Sequence, residues 1–182
     1  VVGLACARAT ARPGRTVCVL ERHARLGTET STHNSGVVHA GIYYPRGSLK
    51  ARLCVEGRDA LYRFCEAHDV PYQRCGKFIV AGPGEDDTRL QDLMARGLAN
   101  AVGDLELVDR AFVSRLEPHV AAGAAIWSPS TGIVDTEALV RALQRDAGAR
   151  EVITLPAMPL IGSTAEVAAH WLDLRTPAET IR

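Results

Sequence analysis

Lysine is almost missing from this sequence. Only Lys50 and Lys77 are lysines, and the other nineteen of its 21 basic residues are arginine. An excess of either charge is missing as well, since 21 acidic residues bring the net charge to zero. A protein that holds nucleic acid by neutralising phosphates carries a basic surplus, so no nucleic-acid partner is expected. The cysteines Cys6, Cys18, Cys54, Cys65 and Cys75 are odd in number, and no two stand at C-x-x-C spacing. That argues against a disulfide framework and against a structural zinc site, so no metal is expected. Reduced thiols in a cytoplasmic or matrix-like compartment are the expectation. No run approaches the ~18 apolar residues that span a bilayer. The stretch Val152 to Ala165 is interrupted by Pro156 and Pro159. Val1 to Arg15 lacks the basic start and apolar core of a secretory signal.

What is present is the composition of an ordinary globular protein, 47% hydrophobic and 23% charged over 182 residues. Such a chain buries a core and is not mainly disordered. Its length suits one domain or two small ones.

The opening reads as an alanine-rich helix, Val1 to Arg12, stopped by Pro13-Gly14. Thr16 to Leu20 is a short β-branched run of the kind found in parallel strands buried on both faces, with Glu21 at its carboxyl end. Gly27 to Gly47 is a glycine-punctuated polar loop region. Ser48 is placed to cap a helix from about Leu49 to His68, with Leu53, Leu61, Phe64 and Cys65 on one face. Lys77 to Ala81 reads as a strand, Glu85 to Asn100 as a helix, Leu107 to Leu116 as a short helix and Ala124 to Trp127 as a strand. Asp135 precedes a helix through Ala147, and Val152 to Leu155 is a strand candidate. Trp171 to Arg175 and Glu179 to Arg182 are expected to pair around Thr176-Pro177.

Two constellations carry chemistry. The first is Gly3 near a helix start, followed eighteen residues later by Glu21. In a dinucleotide-binding βαβ unit a glycine turn brings pyrophosphate onto the helix amino end, and an acid about twenty residues on holds ribose hydroxyls. Gly3 matches only the third of the three glycines, and a glycine inside a structural helix explains it equally well. The second runs from Ser31 through Tyr44, with His33, His39, Gly36, Gly41, several hydroxyls and Tyr43-Tyr44. Small residues there let backbone approach a flat ligand, and the polar ones offer donors. An ordinary glycine-rich surface loop is the alternative. The spacing of the two histidines does not suit a metal pair.

The run His33 to Tyr44, then Gly47 to Ala51 and Leu53 to Gly57, closely resembles the L-2-hydroxyglutarate dehydrogenase/oxidase family of flavoproteins, relatives of the D-amino-acid and glycine oxidases. Arg74 to Ala81 and Thr131 to Asp135 continue the likeness, which fades after about residue 150. The resemblance implies an α/β fold, with a Rossmann-like FAD-binding domain interleaved with an antiparallel-sheet substrate domain, both incomplete. The expected segments are 1–76 (FAD-binding), 77–130 (substrate) and 131–182 (FAD-binding again). It implies non-covalent FAD and oxidation of a 2-hydroxy acid, L-2-hydroxyglutarate to 2-oxoglutarate, with hydride passing to the flavin. Gly3, Glu21, Arg22, Thr32, His33, Asn34, Ser35 and Gly36 become cofactor-binding candidates. His39 becomes the candidate base, since imidazole titrates near neutrality, with a loop histidine bonded to backbone as its alternative. Tyr43, Tyr44, Lys50 and Arg52 become candidates for the two carboxylates of the substrate. Lys50 and Arg52 read more readily as solvated helix positions. The electron acceptor stays undefined, and peripheral membrane association of the full-length protein stays open.

The turn's first two glycines would lie before Val1 and a second flavin-contacting stretch after Arg182. The chain is therefore expected to be part of a longer protein and to hold FAD poorly by itself. The rival readings are a related flavin amine or glycerol-phosphate oxidoreductase, and a non-catalytic dinucleotide-binding module.

Overall fold

The computed structural model describes residues 1–82, 87–176 and 179–181. The order begins α1 (Val2–Thr10), β1 (Cys18–Leu20), β2 (Val37–Val38), α2 (Leu49–Ala67), β3 (Tyr72–Gln73) and β4 (Phe78–Ala81). It continues α3 (Thr88–Ala99), β5 (Glu106–Asp109), α4 (Arg110–Leu116), β6 (Ala124–Trp127) and β7 (Gly132–Val134). It ends α5 (Thr136–Gly148), β8 (Ile153–Leu155), β9 (Leu160–Ala165), β10 (His170–Arg175) and β11 (Thr180–Ile181). Two compact units share these elements: 1–34 with 136–182, and 35–135. Their edges, 34/35 and 135/136, differ from the segment edges expected at 76/77 and 130/131, because residues 35–76 pack with 77–135.

In the first unit β1 and β8 run parallel, in register from Cys18 with Ile153 to Leu20 with Leu155. Helices α1 and α5 pack together through Ala7 and Ala147, small residues that let two helix axes come close. Val152, Val17 and Val19 close the same cluster. Asp146 on α5 bonds Arg8 of α1 and lies 3.5 Å from Arg150. The burial expected on both faces of β1 is not found. Cys18 is exposed and Val19 and Leu20 are half-buried, since a two-stranded sheet covers each strand only partly. The hairpin of β10 and β11 forms as expected among the described residues, and β9 adds a third antiparallel strand that its mixed Gly-Ser-Thr composition does not announce. Pro177 and Arg182 lie outside the described residues.

The second unit holds two antiparallel sheets, ordered β2-β7-β3 and β4-β6-β5. Its main core gathers Ala40, Ile42, Ala81, Leu90, Val102, Leu105 and Ile126. Ser48 caps α2 as expected, accepting from Ala51 N at 3.2 Å. The buried face of α2 is Ala51, Tyr62 and Cys65, whereas Leu53 is half exposed, so the apolar stripe expected through Leu53 is displaced. Tyr62 anchors that face by donating to Ser130 O at 3.0 Å. The helix expected over 107–116 divides. Leu107 and Val108 extend in β5 against Ile126 and Ala125, and Asp109 then caps α4 by accepting from Phe112 N at 2.8 Å. Pairing with a central strand outweighs local helix propensity here. The helix expected from Glu85 is α3, and Glu85 itself lies outside the described residues.

Candidate functional site

The first unit carries a cleft of about 220 Å³ between the amino end of α1 and the carboxyl end of β1. Gly3 and Leu4 line it from the first helical turn, where backbone N–H groups have no intrahelical acceptor. Their dipoles favour an anion. A Cβ built on Gly3 meets no atom within 4 Å, so that side of the turn is open. Glu21 lines the cleft at the end of β1. Its backbone is pinned on both sides, N–H to Leu155 O at 3.0 Å and carbonyl from Met158 N at 2.8 Å. One carboxylate oxygen accepts from His23 N at 2.9 Å, and the other has no hydrogen bond among the described residues.

The loop from Leu26 to Ser31 forms the remaining wall. Gly27 stands at φ +80°, and a side chain there would press on both methyls of Val140 at 3.1 Å. Thr28 follows with its Oγ1 buried and bonded to nothing among the described residues. A buried hydroxyl without a partner costs about 1–3 kcal/mol and is rare in native structures. Thr28 lines the cleft, so a polar ligand atom would satisfy it. A second cleft of about 470 Å³, also in this unit, includes Gly27, Thr28, Thr32, His33 and Val140 in its lining.

The other cofactor candidates of this unit are mostly committed to the loop itself. Thr32 Oγ1 donates to Gly27 O at 2.5 Å. His33 Nδ1 lies 3.0 Å from Glu29 O, and Asn34 Nδ2 donates to Thr30 O and Ser31 O at 2.8 and 3.2 Å. These side chains shape the wall more than they furnish it. Arg22 is exposed and does not line the cleft. Ser35 and Gly36 belong to the second unit, where Gly36 O, just before β2, accepts from Val134 N at 2.9 Å.

The second unit gathers His39, Tyr43, Tyr44 and Lys50, and adds Lys77. Gly41, at φ +99°, turns the chain after His39, and a Cβ there would meet Val55 at 3.2 Å. Buried Asn100 at the end of α3 holds this turn, donating to Gly41 O at 3.1 Å and Tyr44 O at 2.8 Å. Lys50 Nζ stands 4.6 Å from the centre of the Tyr44 ring, and Lys77 Nζ 4.6 Å from the centre of the Tyr43 ring. Lys77 Nζ also donates to the Tyr43 hydroxyl at 3.1 Å. His39 is exposed, and the protein around it, then the charges of Lys77 and Lys50, hold its imidazole below its ordinary range. Burial, with Cys54 beside it, pushes the Tyr44 phenol up and keeps it a donor. Arg52 stays apart from this cluster, exposed and 3.8 Å from Glu56 one helical turn on.

Three residues of these sites escape sequence reasoning. Lys77 has one signal, that it is half of the lysine content. Thr28 and Asn100 have none, because only burial distinguishes them from surface polar residues.

The FAD dependent oxidoreductase family matches residues 1–171. The chain belongs to that family. It is 49% identical over 137 residues to a protein of Nematostella vectensis named "L-2-hydroxyglutarate dehydrogenase, mitochondrial", covering 74% of the chain and 30% of that protein. It is 42% identical over 148 residues to the Homo sapiens protein of the same name, covering 80% of the chain and 32% of the relative. The chain thus spans about a third of the length of these curated relatives. Its fold is that of an L-α-glycerophosphate oxidase of Mycoplasma pneumoniae with FAD bound, at TM-score 0.86 and 24% identity, covering 94% of the chain and 46% of that structure. A dehydrogenase acting on L-proline, from P. horikoshii, aligns at TM-score 0.80 and 18% identity over the whole chain and 48% of its own.

FAD is the cofactor of the family, and the first unit fits it. The open helix turn at Gly3, the free carboxylate oxygen of Glu21 and the unpartnered Thr28 hydroxyl are the donor and acceptor set a dinucleotide needs.

Proposed function

We propose that the chain belongs to an enzyme that oxidises a 2-hydroxy acid, L-2-hydroxyglutarate to 2-oxoglutarate. The observation that carries this reading is the cluster in the second unit, where Lys50 and Lys77 stand over the consecutive rings of Tyr44 and Tyr43 and both charges bear on His39. Bound FAD supplies the two-electron acceptor. Glu21 would hold the ribose hydroxyls, Gly3 and Leu4 would offer N–H groups to the pyrophosphate, and Thr28 would bond a polar atom of the dinucleotide. The 43–49% identity to relatives named for L-2-hydroxyglutarate supports the choice of substrate.

His39 takes the hydroxyl proton of the substrate on its imidazole as C2 loses hydride. An imidazole held neutral accepts that proton at physiological pH, and protonated lysine neighbours stabilise the alkoxide that forms. Lys50 and the phenol of Tyr44 offer donors to a substrate carboxylate, and Tyr43 joins them.

The test is anaerobic reduction of the flavin in the purified protein. L-2-hydroxyglutarate should bleach the visible flavin absorption, while glycine, proline and glycerol 3-phosphate leave it coloured. Bleaching by an amine or by glycerol 3-phosphate and not by the hydroxy acid would replace this reading with the amine or glycerol-phosphate one. A folded full-length protein that takes up no flavin would leave a non-catalytic module.

A further inference from the structure

We infer that Lys77 determines specificity: with Lys50 it forms a two-cation seat in the second unit that selects an organic dianion over a monoanion. This rests on the reading of that unit as the substrate site.

The charge pattern points to it. The chain's two lysines lie 27 residues apart, one in the first turn of α2 and one next to the start of β4, yet they stand over consecutive tyrosines. Neither ammonium has an acidic partner among the described residues. Ring faces attract cations but bring no negative charge, so they leave both positive charges uncompensated. A ligand with one carboxylate compensates one lysine. A ligand with two compensates both.

Discrimination falls on Lys77 because it is the better held. Its backbone is fixed by two bonds to Ser128, Lys77 N to Ser128 O at 3.1 Å and Ser128 N to Lys77 O at 2.9 Å. Its side chain is half-buried, and the bond to the Tyr43 hydroxyl uses one ammonium proton of three. Lys50 is exposed on a helix start and free to follow the ligand.

The experiment compares glutarate with pentanoate, the same carbon chain with one carboxylate removed, by calorimetric titration at fixed ionic strength. The purified protein should prefer glutarate at least tenfold. In Lys77→Met that preference should fall tenfold, and Lys77→Arg should keep it within threefold. Lys77→Gln serves as the neutral variant if circular dichroism shows Lys77→Met unfolded. An unchanged preference in the neutral variant, or no preference in the parent, overturns the inference. The same variants are assayed with L-2-hydroxyglutarate and L-2-hydroxypentanoate, where the ratio of kcat/KM should narrow in parallel. A protein that oxidises neither acid while Lys77→Met still abolishes the glutarate preference refutes the proposed reaction and keeps the dianion seat. Turnover of the hydroxy acid with a preference indifferent to Lys77 does the reverse.

Discussion

Residues 31–34 and 39–44 are near neighbours in sequence and each holds one histidine, but they spend their polar groups in opposite ways. In the first unit Thr32, His33 and Asn34 bond backbone carbonyls of their own loop. In the second, the side chains of Tyr43 and Tyr44 meet two lysines from other elements, and His39 feels both charges. A side chain that satisfies its own loop builds a wall. One whose donors and charge are left uncompensated is poised for a ligand. The division falls at Asn34/Ser35, where one compact unit gives way to the other.

The largest expected effect is on His39. His39→Ala should lower turnover of L-2-hydroxyglutarate about 10²–10⁴-fold, the usual contribution of a positioned base. His33→Ala, a loop-bonded histidine only six residues earlier, should change turnover by a far smaller factor. Steady-state kinetics on both variants checks this, and equal losses would erase the contrast between the two histidines.

Next comes Glu21. Hydrogen bonds to an ionised group contribute about 1.5–3 kcal/mol, so Glu21→Ala should weaken FAD binding roughly tenfold to a hundredfold. Flavin fluorescence titration measures it. Asn34→Ala, which removes bonds internal to an exposed loop turn, should weaken FAD by less than Glu21→Ala does.

Asn100 sharpens the comparison from the side of stability. Its buried amide holds the carbonyls of Gly41 and Tyr44, and its own Oδ1 has no partner among the described residues. Asn100→Ala should cost about 1–3 kcal/mol in urea unfolding, because two carbonyls lose a donor that water does not easily replace. Asn34→Ala, at an exposed position, should cost about 0.5 kcal/mol or less.

These contrasts also show what the sequence made legible. The α2 helix is readable because Ser48 is a good cap before a long run without proline, and β4 and β6 because short apolar runs end at turn residues. Glu21 is readable from its distance to Gly3. The displacement of Leu53 from the buried face is not readable, since helical period alone leaves the core-facing direction of a stripe undefined when Tyr62 and Ala51 compete for it. Nor is the split of 107–116, where β6 imposes extension on Leu107 and Val108. The meeting of Lys77 with Tyr43 spans 34 residues and depends on which strand edge faces which loop. Local patterns hold no information about that. Thr28 and Asn100 owe their meaning to burial of a polar atom, which is a tertiary quantity.

A smaller effect lies in the pH profile. Burial first, then Lys77 and Lys50, lower the His39 pKa from its ordinary 6.5. The active base is the neutral form, so kcat/KM should rise with pH through an inflection below 6.5 and be flat above it. Removing a neighbouring cation favours the protonated imidazole. Lys77→Met and Lys50→Met should therefore each move the inflection upward, the first by more because Lys77 bears on His39 the more strongly. An inflection that stays in place in both variants would detach His39 from the two lysines.

The smallest expected effect is at Arg52, two residues beyond Lys50 on the same helix. Side chains two apart on a helix point to different faces. Lys50 reaches the Tyr44 ring, and Arg52 turns to Glu56 with both partners well exposed. An exposed i,i+4 pair contributes about 0.3–0.5 kcal/mol, so Arg52→Ala should shift urea stability by no more than that. It should also leave the glutarate over pentanoate preference where it is, whereas Lys50→Met reduces it. Arginine outnumbers lysine nineteen to two in this chain, so an arginine is the more frequent cation to meet an anion by chance. A loss of preference in Arg52→Ala equal to that in Lys50→Met would mean that the general positive field of the helix start, rather than the two ammonium groups above the tyrosines, draws the dianion.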